Sequence, residues 1–207
     1  MASPQTLDDA DRRLVALWAA ECAERVLPLF EAEAPEDDRA RDGIERTRAY
    51  GRGELDAAGE IKRRFDAGRA AQSVKTPAAV AAARAAGQAS GVAHMGAHAL
   101  GAAAYAAKAT SLVAVVDQQT ARRDEVRWQI DHMTPDVRAA LRRLPLLGEN
   151  SSGPLGGGLL ASGVLAVTIR EIQSELSRES VSDRSVGVRN LDLQEAWQLR
   201  ARAQTAT

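Results

Sequence analysis

Apolar residues recur along this chain at spacings of three and four. No stretch alternates in the Val/Ile/Thr/aromatic manner of a half-buried strand, so the pattern predicts an all-α multi-helix bundle. The first helix begins at Thr6, whose hydroxyl is placed to cap while Asp8 and Asp9 occupy the positive first turn. Its apolar face is Leu7, Leu14, Leu17, Trp18, Cys22 and Val26, and Pro28 then bends it. Pro35 followed by Glu36, Asp37 and Asp38 opens a second helix, which buries Ile44 and stops at Gly51 and Gly53. A third is expected from Leu55 to Ala71, anchored by Ile61 and Phe65. Thr76-Pro77 starts an alanine-rich helical stretch reaching toward Val116, with Gly87 or Gly91 as possible breaks. Shorter helices follow from Thr120 to His132 and from Thr134 to Leu144.

Past Leu144 the pattern changes. Gly148 to Gly158 is rich in Gly, Ser and Pro and reads as a flexible linker. Its amides precede a helix but lack the Gly-Lys-Ser/Thr ending of a phosphate loop. Leu159 to Leu176 reads as a helix too apolar to stand alone in water, expected to dock on the bundle or to pair with a second copy through 159–176. Arg178 to Arg189 is polar and expected to be mobile, and Leu191 to Ala203 is an amphipathic segment carrying Trp197. The chain thus divides into a helical bundle over 6–144 and an extension over 145–207.

Composition sharpens this picture. Of 207 residues 45% are hydrophobic but only 3% are aromatic, and much of the remainder is alanine, so the helices must pack close together around a thin core. Lys+Arg 27 against Asp+Glu 28 excludes a chain built as a whole to coat nucleic acid. The basic clusters at Arg12-Arg13, Lys62-Arg63-Arg64, Arg122-Arg123 and Arg142-Arg143 lack interleaved aromatics and read as solvated helix faces, so no nucleic-acid partner is expected. The single cysteine, Cys22, leaves no internal disulfide and reads as a buried thiol. The start of the chain has no basic-then-apolar leader, and no stretch approaches the roughly 20 apolar residues of a membrane span. A cytoplasmic bacterial protein without membrane contact is the expectation.

Candidate chemistry concentrates between Arg84 and Lys108. If the helix is continuous there, Arg84, Gly91, His98 and Tyr105 share one stripe with Gly87, His94, Gly101 and Lys108, and Gln88 and Ser90 border it. Three glycines on one helix face predict close approach by another backbone, side chain or ligand, since each costs about 1 kcal/mol relative to alanine. Three readings stay open. One is a satisfied polar network that fixes helix register. Another is a metal site, which lacks the glutamate of the His-Glu-x-x-His motif and needs Glu24 or Glu54 to complete it. The last is a small-molecule or catalytic pocket using His94, His98, Tyr105, Glu24 and Glu54. No cofactor or metal is assigned.

The segment Trp18 to Glu31 resembles the opening of a bacterial family of α-helical immunity proteins from polymorphic-toxin systems. Further matching motifs follow in order at Pro35–Arg39, Ile44–Tyr50 with Gly53-Glu54, Ala83–Gln88, Ala93–Lys108 and Glu125–Gln129. Together they span Leu14 to His132. The resemblance implies a helical bundle with a role as antidote to a cognate toxin; the expectation is that it acts by binding that toxin, without catalysis. The acidic run Glu31, Glu33, Glu36, Asp37 and Asp38 is then a candidate face for a basic toxin groove. Read without the resemblance, it is a helix N-terminus favoured by its dipole. The seam residues Arg84, Gln88, His94, His98, Tyr105 and Lys108 are candidate binding residues, and a small-molecule-binding protein or enzyme built on that seam is the alternative function.

Overall fold

The structure, a computed structural model, describes residues 3–115 and 117–178. The amphipathic segment with Trp197, most of the polar stretch before it, and Val116 lie outside the described residues. No strand occurs among the described residues, and the fold is all-α. Helices α1 (Asp9–Glu24), α2 (Leu27–Glu31) and α3 (Arg39–Gly51) are followed by two short helices, α4 (Ala57–Arg63) and α5 (Asp66–Arg69), and a 3-10 turn (Ala70–Gln72). Then come α6 (Pro77–Gly91), α7 (His98–Val113), α8 (Gln118–Asp131) and α9 (Pro135–Arg142). A second 3-10 turn (Leu159–Ala161) leads into a helix over 163–178, here α10.

At the centre lies α7, in contact with α1, α6 and α8. Ala102, Ala103, Ala104, Ala106 and Ala107 are all fully buried, so this helix is enclosed on every side. Methyl side chains let the neighbouring axes come close, as the alanine-rich, aromatic-poor composition requires. Trp18 of α1 supplies one of the few large fillers, and its indole N–H donates to the Gln129 carbonyl at 2.9 Å. Around it Arg25 pairs with buried Glu125 at 3.0 Å, and Gln129 donates to the Ala103 carbonyl at 3.1 Å.

Several boundaries differ from the sequence reading. Asp8 rather than Thr6 caps α1, accepting from the Asp11 amide at 2.8 Å. Thr6 and Gln5 are drawn away because their carbonyls accept from the Gly96 and Ala97 amides, each at 3.0 Å. The second helix starts at Arg39, since Asp37 folds the preceding segment into a turn by accepting from the Arg39 amide at 3.2 Å. The expected 55–71 helix is broken in three, and Phe65 is 56% exposed rather than an anchor. Ala67 and Ala70 face the core in its place. The reason is clearance: a Cβ at Gly43 of α3 would lie 2.5 Å from that of Ala67, so only small residues fit this contact.

The extension docks on the bundle. Leu155, Leu165, Ile169, Ile172 and Leu176 are buried within the chain, whereas Leu159 and Val167 of the same segment stay exposed. Arg122, read as a solvated surface residue, is instead buried, paired with Glu171 at 2.7 Å and donating to Thr168 at 3.2 Å. The Gly-rich segment is largely exposed but tied to the bundle at Gln5. The fully buried Gln5 side chain donates to the Ser152 carbonyl at 2.6 Å and accepts from the Leu155 amide at 2.9 Å. Gly153, at φ +81°, leaves no room for a side chain, because a Cβ there would meet Gln5 at 2.6 Å.

Candidate functional site

The alanine-rich stretch is two helices. Its break falls directly after Gly91, where the Gly96 and Ala97 amides turn outward to the Thr6 and Gln5 carbonyls instead of continuing the helical ladder. His94 therefore sits exposed in the connecting turn, not one helical turn below His98 on a common face. The eight-residue stripe does not exist as a continuous surface.

The close approaches expected of the glycines do exist. At Gly87 a Cβ would lie 2.7 Å from Gly68 Cα, backbone against backbone between α6 and α5. Gly91 is covered by the His98 ring, 2.8 Å from where its Cβ would be, and Gly101 is covered by the Gln88 amide. His98 and Gln88 meet in turn, Nδ1 to Oε1 at 2.9 Å. With the amide oxygen facing it, Nδ1 is the donor of this bond. Burial, with the nearby charges of His94 and Arg64, depresses the His98 pKa to about 4.

An open cavity of about 410 Å³ lies beside this pair, lined by Arg84, Gln88 and His98 together with Arg64, Phe65 and Gln72. Gly68, Gly87 and Gly91 form part of its wall, where the absence of side chains keeps the space clear. Of the candidate seam residues, Arg84, Gln88 and His98 thus converge. Tyr105 is buried on α7 and does not line the cavity; burial raises its phenol pKa against the opposing charge of Arg84. Lys108 is half-buried and also lies outside the lining.

Glu24 and Glu54 are not brought to the seam. Glu24 is exposed and bound by Arg48, and Glu54 is exposed and pairs with Arg52 at 2.6 Å. The Arg48 contact holds the Glu24 carboxyl below its ordinary range. Neither can complete a site with the histidines. Among the described residues no group of three or more His, Cys, Asp or Glu side chains is placed to hold a metal ion.

The acidic run is largely engaged internally. Glu31 is bound by Arg41. Glu33 accepts from the Thr76 hydroxyl at 2.6 Å and so ties the loop after α2 to the start of α6. Asp37 pairs with Arg39 and accepts from Ser73 at 2.7 Å, and the Arg39 guanidinium holds its carboxyl far below the usual carboxylate range. Within this run only the Glu36 and Asp38 side chains stand exposed without a hydrogen bond or ion pair among the described residues.

A family model described as "Imm-5 like putative immunity protein" matches residues 5–136. The chain belongs to this family. The match begins at Gln5, which anchors the Gly-rich segment, and ends at the start of α9, so it takes in every helix that lines the cavity. No curated protein and no solved structure matches the chain. Among the described residues no helix is long and apolar enough to cross a membrane. Arg64, Phe65, Arg69 and Gln72 of the cavity were absent from the candidates read in the sequence. The available signal was Gly68, a helical glycine across from Gly87.

Proposed function

We propose that this family member neutralises a cognate protein toxin by binding it, without catalysis, in the bacterial cytoplasm. The observation that carries the reading is the family match over residues 5–136, which covers well over half of the chain. The surface chemistry supports it. Glu36 and Asp38 stand exposed just before α3 with no internal partner, which suits a basic toxin surface and speeds encounter. Asp37 between them belongs to the fold, not to the contact, because Arg39 and Ser73 hold it.

Co-expression with a toxin encoded next to this chain tests the proposal. Growth is expected to be restored by the wild type and to be weakened when Glu36 and Asp38 are both reversed to lysine. Failure to protect against any neighbouring toxin contradicts it. A second reading, small-molecule binding, is favoured by one specific observation, the open cavity beside His98.

A further inference from the structure

The cavity beside His98 has a charge pattern that its own chain does not balance. Three arginines, Arg64, Arg69 and Arg84, are among its lining residues, and no acidic residue is. Arg69 pairs with Asp66 at 2.9 Å, with both side chains more than half exposed. Arg64 donates to the Ile61 carbonyl and lies 4.2 Å over the Phe65 ring. Arg84 is exposed and has no hydrogen bond or ion pair among the described residues. Three guanidiniums less the one carboxylate of Asp66 leave a net charge of +2 around the opening. His98 adds a neutral hydrogen-bonding ring, and Gln72 and Gln88 add neutral amides.

The guanidinium fork matches the oxygens of a phosphate group, and a dianion balances the excess. At about 410 Å³ the space exceeds what inorganic phosphate fills and falls within the ~300–1,000 Å³ typical of organic ligands. Phe65, 56% exposed at the wall, offers apolar surface for the remainder of such a molecule. The paired glycines at 68 and 87 keep the floor free of side chains. We infer that this cavity binds a small organic phosphate monoester, with the phosphate held by Arg84 and Arg64 and a sugar or ring body lying toward Phe65. The inference stands apart from toxin binding, since its ligand is small and its residues do not include Glu36 or Asp38.

Isothermal titration of the full chain with ribose 5-phosphate, adenosine 5′-monophosphate, adenosine and inorganic phosphate tests it. At least one monoester is expected to bind about tenfold or more tighter than inorganic phosphate, and adenosine is expected to give no heat. R84Q is expected to weaken the monoester about tenfold with unchanged helical circular dichroism, because the exposed Arg84 side chain makes no hydrogen bond or ion pair among the described residues. F65A is expected to weaken the monoester but not inorganic phosphate. Absence of binding by both monoesters overturns the inference. So does equal affinity in wild type and R84Q, or binding of adenosine as tight as that of its monophosphate. None of these outcomes bears on protection from a toxin.

Discussion

His98 Nδ1 lies 2.9 Å from Gln88 Oε1 across the break between α6 and α7. That bond sets the His98 ring flat over Gly91 and the Gln88 amide over Gly101, so each helix uses a glycine to admit the other's polar side chain. The hairpin is thereby fixed in register by one hydrogen bond and two close contacts, with the cavity opening at its edge.

Protonating His98 adds the second proton at Nε2, leaving the Nδ1–H bond to Gln88 intact but placing a charge where the ring is buried. The folded chain keeps the imidazole neutral down to about pH 4, whereas an ordinary histidine protonates near 6.5. Between those values the unfolded state binds more protons. Stability is therefore fully present above pH 6.5 and is lost as pH falls through the window, by about 3–4 kcal/mol at most. Asp9 and Asp37, whose carboxyls are held low chiefly by Arg13 and Arg39, add losses only below their ordinary value of 3.8. Urea unfolding from pH 7 to 4.5 is expected to show a slope for the wild type that is flattened in H98Q.

Gly87 and Gly68 face each other but are not equivalent. A Cβ at Gly87 would lie 2.7 Å from the Gly68 backbone, whereas a Cβ at Gly68 would find its nearest atom at 3.9 Å. G87A is expected to destabilise by about 1–2 kcal/mol, overpacking outweighing the helix-propensity gain. G68A is expected to be neutral or slightly stabilising. Chemical denaturation of the two variants checks the difference, and equal effects would contradict the close approach.

Gln5 holds the Gly-rich segment to the body of the protein. Its buried amide satisfies both the Ser152 carbonyl and the Leu155 amide, so Q5A leaves two polar groups without partners. A loss of about 2 kcal/mol is expected. Limited proteolysis is expected to cut the variant within 148–158 well before the wild type.

Cys22 is fully buried, and burial together with Glu125 and Glu21 pushes its thiol pKa well up. It is expected to resist thiol reagents in the native protein and to react only on unfolding. Rapid labelling under native conditions would contradict the packing of α1.

The helical class was legible because period-three-and-four spacing and cap-plus-proline starts at Thr76 and Thr134 are local signals, and both threonines do cap. The thin core was legible from alanine and the scarcity of aromatics. The break after Gly91 could be seen only as an option, because what decides it is distant. The Gly96 and Ala97 amides are taken by carbonyls near the N-terminus, about 90 residues away. For the same reason the seam comes together only in part. Its glycines predicted close contacts, and Arg84, Gln88 and His98 do share a cavity. His94, Tyr105 and Lys108 were placed with them only by assuming an unbroken helix. Phe65 and Arg122 were misread because hydrophobicity and charge report what a side chain prefers, whereas Gly43 and Glu171 determined where these segments went.

The most direct test of function is stoichiometric. Activity of the cognate toxin is measured while the chain is titrated into it, and the toxin's mass is recorded afterwards. Neutralisation by binding predicts full inhibition at about one chain per toxin, recovery of both proteins unmodified from the complex, and a shift of the end point to higher ratios for E36K/D38K. Inhibition by far less than an equivalent, or a toxin left covalently altered, would contradict it.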